Sequence, residues 1–401
     1  MPISTFVDLN AVLARAVELG ASDIHLKIGQ PPVFRRDGEL GVLPDHPPLT
    51  DTQLDAAVAV IADLAPAKLQ SFYETGDLDI AYTASGLPRF RVNIYRQRGA
   101  ISFAFRVIPK EVPSFDVLGL PAGVHRLAEE QRGLVLCTGA TGSGKTTTLA
   151  AILDHINRTR RMHIVTIEDP IEIMHADRGC IVNQREIGLD TESFLAAVRR
   201  VLRQDPDVIL IGELRDAETA ETALKAAESG HLVFSTMHTI DAAETINRLI
   251  EFFPAIKHQQ IRSILAGVLR GIVSQRLLPK ADGGRVAAVE VMVMNSRISD
   301  LVRESKAEEI PDAISEGEFF DMQTFSEALI KLVLDNQIDR EVAANAATNR
   351  HDFLVELDQA LMRQAAGIKH GQRLSELAQE EEEPEEEVTM PELRIAGSQD
   401  G

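Results

Sequence analysis

Gly139-Ala140-Thr141-Gly142-Ser143-Gly144-Lys145-Thr146 is the stretch on which the fold turns. It fits G-x-x-x-x-G-K-[ST] in full, and its flanks are those the motif needs. The apolar run Gly133-Leu134-Val135-Leu136-Cys137-Thr138 precedes it, and the helical pattern Thr147-Thr148-Leu149-Ala150-Ala151-Ile152-Leu153 follows. Glycines let the backbone fold into a nest whose N–H groups aim at phosphate oxygens. The N-terminus of the helix adds partial positive charge. Lys145 is expected to reach the β- and γ-phosphates of a nucleotide, and the Thr146 hydroxyl to ligate Mg²⁺. The nucleotide-binding segment is thus Gly139, Ala140, Thr141, Gly142, Ser143, Gly144, Lys145, Thr146 and Thr147.

Around this loop, short apolar runs alternate with helical patterns. Ile164-Val165-Thr166-Ile167, Val208-Ile209-Leu210-Ile211 and Leu232-Val233-Phe234-Ser235-Thr236 are such runs. They suit a parallel sheet covered on both faces, which makes this region α/β. Ligands of such sheets bind at the carboxyl ends of the strands, so the residues just beyond each run matter most. Gly212-Glu213 follows one run, and Glu213 is placed either to polarise water or to hold Mg²⁺ through water. Glu168-Asp169-Pro170-Ile171-Glu172 follows another, with Pro170 fixing the loop that carries Glu168 and Glu172, both candidate catalytic acids. His231 and His238 flank a third; the pair is suited to sensing a γ-phosphate or coupling subunits, not to zinc, because no ligand cluster accompanies it.

Residues 1–108 follow a different pattern. Leu9, Val12, Leu13 and Ala16 recur at helical spacing. Asp23-Ile24-His25-Leu26-Lys27-Ile28 alternates, Gly29-Gln30-Pro31-Pro32 breaks it, and Val33-Phe34-Arg35-Arg36 reads as a partner strand. Helical segments span 51–73, and two further alternating runs at 90–95 and 101–106 meet at an Arg98-Gly99 turn. This is an α+β unit on an antiparallel sheet. Prolines at 109 and 113 stiffen a linker, and from about 255 to 366 the chain is expected to be mostly helical.

With 401 residues, two or three domains are expected, and 44% apolar content is enough for sizeable cores. No stretch approaches the roughly 20 apolar residues of a membrane span. The N-terminus lacks the features of a signal peptide, and two cysteines exclude a disulfide scaffold or a four-cysteine zinc site within one chain. A cytoplasmic protein is expected. The net charge of -20 speaks against a surface that coats nucleic acid. Ten acids and two bases lie from Gln372 onward, including a block of seven glutamates around Pro384. Such a block self-repels; it reads as a solubilising tail or as a docking tail for a basic partner.

Taken together, GATGSGKTTT, IEDPIE, ILIGELRD and HLVFSTMHT resemble the secretion ATPase superfamily, which carries a Walker A, an Asp box, a Walker B and a His box in this order. Within it the chain looks most like the type IV pilus retraction ATPases of the PilT/PilU family: Ala21-Ser22-Asp23-Ile24-His25-Leu26 and the short N-terminal unit fit that group. The resemblance implies a PAS-like N-terminal domain (1–108), a linker (109–117), a RecA-like P-loop ATPase core (118–294), a helical C-terminal subdomain (295–366) and an acidic tail (367–401). It implies ATP and Mg²⁺, with Lys145 on phosphate, Glu172 and Glu213 assisting hydrolysis, and His231 and His238 as the His box. Arg91, Arg98 and Arg106 become candidate arginine fingers, although each could instead pair with a surface acid. The implied assembly is a homohexamer at the cytoplasmic face of the inner membrane, driving twitching through a pilus platform protein. One segment departs from the family's A-I-R-N-L-I-R-E, reading Ser296-Arg297-Ile298-Ser299-Asp300-Leu301-Val302-Arg303-Glu304. Arg303 and Glu304 survive there as motif residues or as an exposed helix salt bridge. That change leaves room for an accessory, PilU-like ATPase or a nucleotide-regulated partner of a paralogous motor. A pilus-assembly or secretion ATPase and a nucleic-acid motor are further alternatives.

Overall fold

The computed structural model describes residues 8–365, apart from 37, 45, 63–65, 109 and 110. The tail at 367–401 and part of the linker at 109–117 fall outside these residues. The N-terminal domain opens with α1 (Leu9–Glu18), which buries Leu9, Val12, Leu13 and Ala16 and is capped by Asp8 accepting from the Ala11 N–H at 3.2 Å. Then come β1 (Asp23–Lys27), β2 (Val33–Arg36), β3 (Glu39–Val42), α2 (Asp51–Ala62), α3 (Pro66–Thr75), β4 (Asp77–Tyr82), β5 (Phe90–Gln97) and β6 (Ala100–Val107). The strands form one antiparallel sheet in the order β3-β2-β1-β6-β5-β4. Alternation decides what each face does: Phe90, Val92 and Ile94 enter the core, so Arg91 is presented on the opposite face. Arg98 and Gly99 make the β5–β6 turn at φ 54° and 82°.

The ATPase domain begins with α4 (Phe115–Leu118) and α5 (Ala122–Ala128), followed by β7 (Gly133–Thr138), α6 (Lys145–Thr159), β8 (His163–Glu168), β9 (Ile181–Glu186) and α7 (Phe194–Val201). It continues through β10 (Val208–Ile211), α8 (Ala217–Glu228), β11 (Leu232–Met237), α9 (Ala242–Glu251) and α10 (His258–Val268). β7, β11, β10, β8 and β9 run parallel, and β7, β10 and β11 are buried along their whole length.

The stretch expected to be mostly helical holds instead a long hairpin, β12 (Leu269–Pro279) and β13 (Arg285–Val293). β12 joins β7 in parallel and β13 returns antiparallel, so the sheet reads β13-β12-β7-β11-β10-β8-β9. The physical cause is visible in the sequence: β-branched Ile272, Val273, Val286, Val289, Val291 and Val293 flank a turn in which Gly283 and Gly284 take φ 94° and 80°. Helices do follow, as α11 (Ser296–Glu304), α12 (Ile310–Ser315), α13 (Phe325–Leu334), α14 (Arg340–Ala346) and α15 (Arg350–Ala365). They divide between two cores. Ile298, Leu301, Ile310 and Ile314 join the apolar core of the ATPase sheet, whereas Phe325, Leu329, Phe353 and Leu357 build a smaller core on Leu278 and Ala288 of the hairpin.

Candidate functional site

The phosphate loop leaves β7 at Gly139 and ends where Gly144 caps α6. Gly139, Gly142 and Gly144 take φ 136°, 81° and 93°. At Gly139 space also demands glycine: a Cβ there would stand 2.4 Å from the Gln275 carbonyl oxygen and 2.6 Å from Ser143 Oγ. No side chain caps α6, so its first N–H groups stay aimed into the loop. The Ser143 hydroxyl is buried with no hydrogen-bond partner, while Thr146, the second residue of α6, is exposed. Lys145 is buried, and its Nζ donates to the loop's own carbonyls, Gly139 O at 2.7 Å and Ala140 O at 3.0 Å. Burial pushes this ammonium's pKa down, and the carboxylates of Glu213 and Glu172 oppose that shift.

Two of the three expected acids, Glu213 and Glu172, thus act electrostatically on Lys145. Glu213, just past β10, is mostly buried; it pairs with Arg215, and His238 Nε2 lies 3.3 Å from its Oε2. Glu172 is half-exposed and faces Arg91 of the N-terminal domain across 3.7 Å. The third acid turns elsewhere. Glu168 is buried against β9, accepting from Thr166 Oγ1 at 2.6 Å and from Gln184 Nε2 at 3.1 Å. Burial raises its pKa, and those two bonds only partly offset the rise.

The histidines separate. His238 stands at the carboxyl end of β11 beside Glu213, but His231 precedes β11 at the opposite end of that strand. There its ring meets Ser229 Oγ at 2.9 Å and the Ala226 carbonyl at 3.0 Å, and its own carbonyl accepts from Gly133 N–H at 2.9 Å. The arginines separate too. Arg106 lies beside Arg91 in register, yet is exposed and bonded through Nε to Asp23 at 2.9 Å. Arg98 sits at the hairpin tip, seven residues and roughly 20 Å from Arg91. Arg303 and Glu304 end α11, which starts below the sheet after β13, at the edge away from the loop. They are engaged locally, Arg303 with Asp300 at 3.1 Å and Glu304 with Lys306 at 2.7 Å.

Several site neighbours escaped the sequence reading. Arg215 sits in a quoted block, but nothing in spacing marked it as the partner of Glu213. Arg89 reaches across the domain boundary to Glu186, at 2.5 Å, and Glu186 also accepts from Ile171 N–H in the acidic loop. Gln275 lay hidden in the stretch expected to be helical. Its Nε2 donates to Thr148 on α6 at 2.9 Å, and its Oε1 accepts from Cys137 at 3.2 Å, so it spans both ends of the phosphate loop. Between the domains Asp79, Arg91, Asp169, Glu186 and Arg215 line a cleft of about 210 Å³.

The chain is similar to known proteins over most of its length. The type II/IV secretion system protein family matches residues 119–342. The type IV pilus retraction ATPase PilT of Pseudomonas aeruginosa is 44% identical over 348 residues, covering 86% of this chain and 100% of that protein. The type IV pilus ATPase PilU of the same organism is 38% identical over 351 residues, covering 86% and 90%. A crystal structure of the pilus retraction motor PilT with bound ADP superposes with a TM-score of 0.80 at 44% identity, over 86% of this chain and 98% of that one. With a phosphate loop, two acids acting on its lysine and an N-terminal domain facing them, the chain belongs to the type II/IV secretion ATPase family, in its PilT/PilU group, and is an ATP-binding ATPase.

Proposed function

We propose that this ATPase is a motor of type IV pilus retraction, working as a homohexamer at the cytoplasmic face of the inner membrane against a pilus platform protein. The observation that carries the reading is the Arg91–Glu172 contact: a residue of the N-terminal domain reaches an acid that also acts on Lys145. Nucleotide chemistry and the angle between the domains thus share a contact, as a motor requires. A ligand that binds two domain arrangements with different affinity shifts the balance between them.

The geometry supports the following roles. The loop 139–147 holds the phosphates through its N–H nest, with Lys145 exchanging its bonds to Gly139 and Ala140 for phosphate oxygens. The unpartnered Ser143 hydroxyl and the exposed Thr146 hydroxyl fit a phosphate chain with Mg²⁺, and Thr146 would hold the ion. Bound Mg²⁺ supplies charge stabilisation on the phosphoryl oxygens. Glu213 orients and polarises the attacking water, and His238 and Arg215 hold its carboxylate in place. Glu172 assists from the acidic loop. Arg91 is the arginine best placed to leave its carboxylate for developing phosphate charge; Arg106 stands next to it, and Arg98 and His231 take no direct part. Glu168 supports the β8–β9 contact.

Deleting the gene in its host and counting surface pili by electron microscopy, alongside twitching, tests the direction of the motor. Excess pili with lost twitching is the expected result. Bald cells would make it an assembly motor. Normal pili with weakened twitching would make it an accessory to a paralogous ATPase, a reading that the altered 296–304 segment leaves open.

A further inference from the structure

Behind the phosphate loop, on the side away from nucleotide, runs a chain of buried polar groups that the proposed chemistry does not use. Thr138, the last residue of β7, donates through Oγ1 to Ser274 Oγ of β12 at 3.1 Å, and both residues are fully buried. Ser274 stands directly opposite Glu290 of β13 in the antiparallel ladder, where its hydroxyl favours the ionised carboxylate. Glu290, buried in the sheet, accepts from the Ala242 N–H at 2.9 Å. Ala242 is the first residue of α9, and the loop entering that helix begins at His238, the partner of Glu213. One end of this chain is thus the foot of the phosphate loop, and the other anchors the segment that steadies Glu213.

A buried carboxylate in an apolar core is costly, and a packed hydrophobe could fill the same space. The bonds it makes show what it holds. We propose that Glu290 is a positioning residue for ATP turnover, which with Ser274 ties the His238–Asp241 segment to the foot of the phosphate loop and so keeps Glu213 in register with Lys145. The proposal rests on the reading that Glu213 acts on the attacking water.

The groups facing Glu290 are Asp241 ahead of α9 and Arg276 on β12; α13 presents Phe325, whose ring lies 3.9 Å from the Arg276 guanidinium. Burial, with Asp241 adding to it, raises the Glu290 pKa to about 7, so its charge changes in the neutral range. The ionised form makes charge-assisted bonds to Ala242 and Ser274 and places negative charge at the N-terminus of α9. Turnover should therefore rise with pH through neutrality.

The test is steady-state ATPase kinetics of the full chain from pH 6 to 8 for the parent, Glu290→Gln and Ser274→Ala, with Glu213→Gln alongside. Both positioning variants should lose about five- to ten-fold in kcat with KM for ATP within about two-fold, the mark of an interaction that acts in the transition state. The rise of kcat with pH should disappear in Glu290→Gln and persist in Ser274→Ala. Should Glu290→Gln fail to fold, Ser274→Ala, which removes one hydroxyl and keeps the carboxylate, decides on the kcat loss alone. Parent-like kcat in both variants, or a pH rise retained in Glu290→Gln, overturns the proposal. Retained turnover in Glu213→Gln would instead overturn the assignment of the site.

Discussion

At Glu290 the fold buries an acid, and the consequence for stability has a definite sign. Its pKa rises from the ordinary carboxylate range to about 7 on folding. A raised acid stabilises the fold fully below its unfolded pKa; that contribution is lost as pH climbs through the folded value, here between roughly 4.5 and 7. Glu290→Gln should therefore be more stable than the parent at pH 8, by up to about 3 kcal/mol, with the gap closing toward pH 5. Denaturant unfolding at the two pH values checks this, and a pH-independent gap would contradict it. Nothing in the sequence announced the role of this residue, because its partners Ala242 and Ser274 are distant in the chain. Lys145 and Thr146 were legible because a phosphate loop is local, one strand, one turn and one helix. The two histidines part for a geometric reason: a strand advances roughly 3.3 Å per residue, so residues before and after β11 stand at opposite ends of that strand.

At the scale of elements, the hairpin β12–β13 supports the site from behind. Short apolar runs do not distinguish helix from strand by period, and here the turn glycines and β-branched residues outweighed the helical pattern around them. The hairpin lies so close to α5 that Gly271 has no room for a side chain: a Cβ would meet Leu127 Cδ2 at 2.5 Å and the Met292 carbonyl at 2.6 Å. Gly271→Ala should cost about 1–3 kcal/mol, the usual penalty for overpacking. Because Gln275 and Ser274 lie on the same strand, ADP binding should weaken as well. Calorimetry and ADP titration of this variant test both effects, and parent-like values would show that the hairpin yields easily.

Across the whole molecule, Arg91–Glu172 and Arg89–Glu186 join the N-terminal domain to the ATPase domain among the described residues. Arg91–Glu172 is partly open to solvent, so screening makes it weak and easily exchanged. Arg89–Glu186 is different: Glu186 is 1% exposed. Removing its partner would leave a buried carboxylate whose remaining bonds, such as that from Ile171, are neutral. Arg89→Ala should destabilise the chain by about 3–5 kcal/mol, and should loosen the domain boundary first. Thermal unfolding combined with hydrogen exchange at residues 169–187 measures this; unchanged protection there would show that the pair does not set the domain angle. The two domains were legible from their contrasting strand patterns. The way they meet was not, since Arg89, Arg91, Glu172 and Glu186 carry no mark of their pairing in the sequence.

The hold of Lys145 on Gly139 and Ala140 has a consequence for binding. An ammonium already engaged by two carbonyls is a lock with its own latch, and an incoming anion has to lift that latch before it gains anything. A phosphate oxygen replaces a neutral carbonyl with a full charge, which offsets part of that release. A nucleotide also brings a base, a sugar and further phosphates that bind elsewhere, and these carry the cost of release. Release of those two bonds is thus a term in every binding event at Lys145, set by two backbone oxygens and a single side chain.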